Sequence, residues 1–155
     1  MTHGATSVLG GRRSPVLARP GAIWRPLPWQ RAAWRSQARV LLIHGGAGSG
    51  KSSLAAEKIH ALCLRYPQST GLVIRKMRSS LRNSCLLLLD NAVIGQSAKH
   101  YPSKSRWEYA NGSVLCYGGL ADASQREAIK AIGLRGGVDW IWVEEANALS
   151  FDDYQ

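Results

Sequence analysis

Apolar and polar positions along the first half of the chain predict strands and helices in turn. Residues 39–44, RVLLIH, form a short apolar run typical of a buried strand, and glycines follow it. Residues 51–65 carry apolar side chains at helical spacing, which predicts a helix directly after the glycines. Residues 72–74 predict a second strand, and residues 79–94 predict a second helix. The predicted order is therefore β-α-β-α.

The pattern changes in the second half of the chain. Two short β-prone runs, residues 106–109 and 113–117, flank an Asn-Gly dipeptide, which is a strong hairpin signal. Residues 140–143, WIWV, predict a further strand that ends in two glutamates. Trp140 and Trp142 fall on one face of that strand, where we expect them to pack in the core. Together the elements predict an α/β fold with a mainly parallel sheet, helices on both faces and an inserted β-hairpin.

Charge is distributed unevenly along the 155 residues. Twenty Lys and Arg against ten Asp and Glu give a formal charge of +10, which favours polyanionic partners, nucleic acid first among them. No acidic residue precedes Glu57. Residues 1–22 combine arginines with glycines, prolines and serines and have little periodic apolar content, so we expect a mobile arginine-rich arm there. We expect residues 23–155 to form one domain.

Cysteine usage and apolar run length exclude several protein classes. Cys63, Cys85 and Cys116 are odd in number and widely spaced, with no C-x-x-C pair. We therefore expect buried, reduced thiols in a cytosolic protein, without a disulfide framework or a zinc site. The longest purely apolar run is residues 86–89, far shorter than a membrane span requires. No membrane is expected among the partners.

The segment GGAGSGKS, residues 45–52, fits the phosphate-binding loop pattern G-x-x-x-x-G-K-[ST]. Its glycines permit backbone conformations that point successive N–H groups at a phosphate, and the following helix adds its positive end. In this pattern Lys51 contacts the β- and γ-phosphates and Ser52 offers its hydroxyl to Mg²⁺. The alternative is a glycine-rich turn with a solvated lysine. A strand predicted before the loop and a helix predicted after it favour the phosphate-binding interpretation.

The two glutamates after WIWV supply the acidic element that such a loop needs. Glu144 lies where a Walker B acid holds Mg²⁺, and Glu145 lies where a general base aligns the attacking water. Glutamate at the first position is one methylene longer than the commoner aspartate. The alternative is a strand that simply ends in a polar loop.

At this point the sequence resembles the ATPase domain of the large terminase subunit, the DNA-packaging motor of tailed bacteriophages. The matching segments run in one order over roughly residues 24–155: PWQRA (28–32), LLIHGGAGSGKS (41–52), VIRKMRSSLRNS (73–84), ANGSVLCYGGLAD (110–122), IKAIGLRGG (129–137) and WIWVEEAN (140–147). The resemblance implies a P-loop ATPase that binds ATP and Mg²⁺ and couples hydrolysis to translocation of double-stranded DNA into a procapsid. It also implies a small terminase subunit and a portal protein as partners, a homo-oligomeric motor, and the bacterial host cytoplasm as its location.

The resemblance assigns roles to individual residues. Gln30 would recognise adenine, against the alternative of an ordinary surface glutamine. Glu145 and Lys51 would be catalytic, and Ser52 and Glu144 would hold Mg²⁺. The remaining nucleotide-binding positions would be Gly45, Gly46, Ala47, Gly48, Ser49, Gly50 and Ser53.

Two departures from the family pattern matter. Some members carry an arginine finger inside the P-loop, and this loop has none, so the candidates for a finger or sensor are Arg75, Arg78, Arg82 and Arg135, or a neighbouring subunit. The chain also ends ten residues after Glu145. We therefore expect an incomplete ATPase domain without the nuclease domain, with weak hydrolysis.

Two other functions remain open. One is a P-loop kinase of a small molecule, and the other is an inactive remnant that binds nucleic acid through its basic arm. The paired glutamates favour a hydrolase over the kinase. The densest basic cluster, residues 75–82, predicts either a solvated helix face or a contact with phosphate.

Overall fold

The computed structural model describes residues 23–132, 136–150 and 153. Its α-helices are α1 (Gln30–Arg35), α2 (Lys51–Arg65), α3 (Arg78–Arg82), α4 (Cys85–Leu88) and α5 (Ala123–Lys130). Its strands are β1 (Thr70–Arg75), β2 (Ala98–Tyr101), β3 (Arg106–Tyr109), β4 (Val114–Gly119) and β5 (Trp140–Val143). The predicted arm at residues 1–22 lies outside the described residues, as does Arg135.

The five strands form one mixed sheet in the order β2-β3-β4-β1-β5. β1 pairs in parallel with β4 and β5, so that Val73 lies opposite Tyr117 on one side and Trp142 on the other. β3 pairs antiparallel with β2 and β4. The prediction of an α/β fold is confirmed, but the sheet is mixed rather than mainly parallel. β2, which was not predicted from the sequence, pairs with β3 of the predicted hairpin and extends the antiparallel part of the sheet.

Both faces of the sheet are covered, because successive side chains along a strand point to opposite sides. On one face Val73, Leu115 and Trp142 pack with α2 and α4 in the larger core. On the other face Leu72 and Cys116 form a smaller core, against which Ile129 of α5 packs. The predictions of helices on both faces and of a core role for the two strand tryptophans are confirmed, although Trp140 is only partly buried.

Residues 39–44 are not a strand in the structure, although their sequence predicts one. Val40 is 85% exposed and Leu42 is 77% exposed, so the predicted burial is also wrong. Among the described residues β5 is the last strand on this side of the sheet, and residues 39–44 do not pair with it. An apolar run becomes a strand only when its backbone N–H and C=O groups find a partner. Apolar character alone could not supply that partner.

The predicted helix over residues 79–94 is broken into pieces. α3 ends at Arg82, α4 begins at Cys85, and a π-helical turn follows over Leu89–Ile94. At the break the Ser84 hydroxyl donates to the Ser80 carbonyl at 2.9 Å. Short polar side chains compete for backbone hydrogen bonds in this way and interrupt helices. α5 was not predicted from the sequence. Its signal is Asp122, an N-cap that accepts a hydrogen bond from the Gln125 N–H at 2.9 Å.

The hairpin between β3 and β4 is confirmed, and its turn is attached to the end of α2. Gly112 has φ +83°, a left-handed conformation that favours glycine. The neighbouring Asn111 amide donates to the carbonyls of Cys63 and Leu64 at 2.9 and 3.1 Å. These carbonyls belong to the last turn of α2, which leaves its own C=O groups without helical partners. The turn therefore caps the helix and fixes the hairpin against it.

All three cysteines are free and buried, as predicted. Burial raises the pKa of the Cys63 thiol to about 12 and the pKa values of Cys85 and Cys116 to about 11. Thiols with such pKa values carry little thiolate and react slowly. Across the described part of the chain, no helix is both long enough and apolar enough to cross a membrane.

Candidate functional site

The glycine-rich loop leads directly into α2. Gly45, Gly48 and Gly50 have φ values of +144°, +73° and +87°, a region that side chains with a Cβ rarely adopt. Gly50 is the residue that precedes the first turn of α2. The loop is largely exposed, so its backbone is accessible to a ligand. Positive φ at three glycines accounts for the glycine spacing that the sequence shows.

Lys51 folds back onto this loop. Its ammonium donates to the carbonyls of Gly45 and Gly46 at 2.9 and 2.7 Å, and to the Ser49 hydroxyl at 3.3 Å. The cation therefore lies within the loop and holds its two ends together. These are neutral acceptors, and an ammonium binds an anionic oxygen more strongly. An anion in the loop would therefore compete with the two carbonyls for the Lys51 ammonium.

Ser52 and Glu144 meet although they are 92 positions apart. The Ser52 hydroxyl donates to Glu144 Oε1 at 2.8 Å. Ser52 lies in the first turn of α2, and Glu144 directly follows β5, where its backbone N–H donates to the Ile74 carbonyl at 2.8 Å. A hydroxyl beside a carboxylate offers two hard oxygen ligands, the type that Mg²⁺ prefers. The described residues hold no cluster of three or more His, Cys, Asp or Glu side chains that could cage a metal alone.

Glu144 has a second partner that the sequence analysis missed. The Trp142 indole N–H donates to Glu144 Oε2 at 3.0 Å. The sequence predicts only core packing for Trp142. The missed signal is the W-x-E spacing, because positions i and i+2 of a strand share a face.

Glu145 forms an ion pair with Arg75 at the end of β1. Glu145 has φ +53°, which is uncommon for a residue with a side chain, and its side chain is 51% exposed. The Arg75 side chain is only 15% exposed, and it also donates to the Ser84 hydroxyl at 3.1 Å. Of the three described arginines proposed as finger or sensor, Arg75 is therefore the one that contacts a candidate catalytic carboxylate.

The rest of the predicted basic cluster divides into two groups. Lys76 is paired with Asp153 at 2.6 Å, and this hydrogen bond is the main cause that holds the pKa of Asp153 well below its usual range. Arg78 and Arg82 are exposed, and Arg78 donates to the Ser105 hydroxyl at 2.5 Å. The cluster therefore does not form a single solvated surface. Arg75 and Lys76 are paired with carboxylates, whereas Arg78 and Arg82 face solvent.

Gln30 is buried at 2% exposure, so the alternative of an ordinary surface glutamine is wrong. Its amide N–H donates to the Gly50 carbonyl at 2.8 Å, and its Oε1 accepts the Leu27 N–H at 2.7 Å. A Cβ on Gly50 would lie 2.9 Å from the Gln30 amide nitrogen. Gln30 thus joins α1 to the last residue of the glycine-rich loop. Adenine recognition by Gln30 stays a prediction.

Lys58 holds the other end of α1. Its ammonium donates to the carbonyls of Ala33, Trp34 and Ser36 at 3.0, 2.8 and 2.8 Å. These carbonyls lie in and just after the last turn of α1, the negative end of the helix. Burial lowers the pKa of Lys58. No motif pointed to this residue.

The protein is an α/β domain in which a glycine-rich loop, the Ser52 hydroxyl and two carboxylates lie at one edge of the sheet. A family model described as phage terminase large subunit matches residues 37–155, and the chain therefore belongs to that family. This membership relates the chain to phage DNA packaging. No curated protein and no solved structure matches it.

Proposed function

We propose that this chain is a P-loop ATPase domain that binds Mg²⁺·ATP and drives the packaging of double-stranded phage DNA. The observation that carries the proposal is the 2.8 Å contact between Ser52 and Glu144, which brings the two predicted metal ligands together from distant parts of the chain. Family membership supports the packaging role.

The nucleotide binds, in this proposal, along residues 45–53. Backbone N–H groups of the loop and the N-terminus of α2 face the phosphates. Lys51 leaves the Gly45 and Gly46 carbonyls and pairs with the β- and γ-phosphates. Ser52 and Glu144 would hold Mg²⁺, which supplies neutralisation of phosphate charge when bound. Two protein ligands suit this ion, because it usually keeps waters and phosphate oxygens in its shell.

Glu145 acts as the general base in this proposal. It accepts the proton of the water that attacks the γ-phosphate, and the phosphate bond to ADP breaks. Arg75 fixes the Glu145 carboxylate through the ion pair, so it serves as a positioning residue. In this proposal the exposed Arg78 and Arg82 contact DNA phosphates. The small terminase subunit, the portal protein and further copies of this chain would be partners in the host cytoplasm.

Replacing Lys51 by alanine tests the nucleotide site. Loss of a charged hydrogen bond costs about 1.5–3 kcal/mol, so Lys51→Ala should weaken Mg²⁺·ATP binding at least about 10-fold in a calorimetric titration. Lys130→Ala is the matched control, because Lys130 forms an exposed ion pair with Glu127 of its own helix and lies outside the glycine-rich loop. Equal nucleotide affinity in Lys51→Ala and the parent would contradict the proposal.

The same titration does not separate an ATPase from a small-molecule kinase or an inactive remnant. Phosphate release measured with and without duplex DNA separates these functions. Stimulation by DNA is expected for the packaging ATPase. Binding of DNA without any nucleotide binding would support the remnant instead.

A further inference from the structure

The Trp142 side chain links the hydrophobic core directly to the proposed metal site. Its ring is 8% exposed and packs in the larger core, where it lies opposite Val73 of β1. Its indole N–H points at Glu144 Oε2, 3.0 Å away. An indole nitrogen is a donor only, and a buried one needs an acceptor. The carboxylate satisfies that requirement.

This hydrogen bond completes a three-point attachment of Glu144. Its Oε1 accepts the Ser52 hydroxyl at 2.8 Å, its Oε2 accepts the Trp142 indole, and its backbone N–H donates to the Ile74 carbonyl. The orientation of the carboxylate is thus set by groups on α2, β5 and β1.

The attachment matters because Glu144 stands where the commoner ligand is aspartate. The extra methylene adds one rotatable bond, and fixing a rotatable side chain costs entropy. A hydrogen bond from a rigid, packed ring fixes that torsion before any ion binds. Partners that orient a metal-binding side chain in this way typically change metal affinity 10–100-fold when they are removed.

We propose that Trp142 is a positioning residue for the proposed metal site, which holds Glu144 in the orientation that binds Mg²⁺, and that its indole N–H reports on occupancy of the site. The inference rests on the function proposed above. Trp140 provides an internal comparison, because it lies two positions earlier in β5 on the same face. Its ring lies against Tyr66, with centroids 5.3 Å apart.

Trp142→Phe tests the inference, with Trp140→Phe as the matched control. Both changes remove one indole N–H and shrink one ring of β5, but only the first removes the donor to Glu144. We expect the Mg²⁺ concentration that half-saturates ATP binding to rise about 10-fold in Trp142→Phe. It should stay within about 2-fold of the parent in Trp140→Phe. ATP binding measured in EDTA should be the same in all three proteins.

A double substitution separates positioning from mere support of the fold. If Trp142 acts through Glu144, then Trp142→Phe should add nothing to the Mg²⁺ defect of Glu144→Ala. Additive defects would overturn the inference. If Trp142→Phe only destabilised the fold, it would weaken Mg²⁺ binding equally in the parent and in Glu144→Ala, and the two defects would add.

The parent protein offers a measurement that needs no variant. In a ¹H–¹⁵N spectrum the indole resonance of Trp142 should shift when Mg²⁺ is added to the ATP-bound protein, and the Trp140 resonance should shift less. If Mg²⁺·ATP binds but the two tryptophans respond alike, the inference is wrong and the proposed function stands. If the parent binds no ATP, the proposed function falls and this inference with it.

Discussion

Replacement of Lys58 by methionine should release α1 from the body of the domain. The Lys58 ammonium donates to three carbonyls at the end of α1, at 2.8–3.0 Å. Methionine keeps an unbranched apolar stem and removes only the charged donors. The same helix carries Gln30, whose amide is bonded to Gly50 in the glycine-rich loop. The substitution therefore tests whether α1 supports the nucleotide site.

The expected magnitude follows from these contacts. Hydrogen bonds to charged groups contribute about 1.5–3 kcal/mol each, so three bonds set an upper bound of about 5–9 kcal/mol. Most of this is offset, because the part-buried carbonyls can bind water and because burial of Lys58 costs solvation, as its lowered pKa indicates. The favourable charge at a helix C-terminus adds about 0.3–1 kcal/mol. We expect a net loss of about 2–3 kcal/mol, which is roughly 30–150-fold in the opening equilibrium of α1.

Hydrogen exchange of the backbone amides measures this opening directly. In Lys58→Met the protected amides of residues 30–36 should exchange roughly 30–150-fold faster, with little change in β1 and β4. Nucleotide affinity should fall several-fold through the contact between Gln30 and Gly50. Lys130→Met is the control, since the Lys130 ion pair is exposed and such pairs contribute about 0–1 kcal/mol. Unchanged exchange at residues 30–36 in Lys58→Met, or equal acceleration in Lys130→Met, would show that Lys58 does not hold α1 in place.

Three further predictions concern the Arg75 ion pair, the burial of Glu57 and the exposed Arg78 and Arg82. Arg75→Ala should lower single-turnover ATP hydrolysis at least about 10-fold, because Glu145 loses its positioning partner, with nucleotide affinity nearly unchanged; unchanged hydrolysis would count against a role for the ion pair. Burial raises the pKa of Glu57 from 4.5 to about 6, so its folded state favours the protonated form and stability declines as pH rises through this range. Glu57→Gln should therefore be more stable than the parent above pH 6, by at most about 1 kcal/mol after solvent screening, and the difference should vanish below the unfolded pKa; urea unfolding at several pH values checks the sign. Removing the side chains of Arg78 and Arg82 should reduce the salt dependence of duplex DNA binding by up to about 0.9 log–log units for each arginine that contacts phosphate, and an identical slope would place the DNA contact elsewhere.

Local elements with short-range signals could be predicted from the amino-acid pattern. The helical spacing of residues 51–65 predicted α2, and the Asn-Gly dipeptide predicted the hairpin that Gly112 closes. The order of the segments also indicated the family. Such signals are reliable because a helical period or a positive φ is set by a few neighbouring residues and their sterics.

Contacts between residues far apart along the chain could not be predicted in this way, because they depend on the packing of the folded domain. The sequence offered four arginines for one role, and packing brings Arg75 to Glu145. It left Gln30 as a surface residue or an adenine ligand, and the structure buries it against the loop. It predicted a strand at residues 39–44, which remains exposed because no described strand pairs with it. Contacts of this kind depend on the free energy of the whole packed chain. The partner of each group is supplied by residues far away in sequence, so a local pattern does not reveal it.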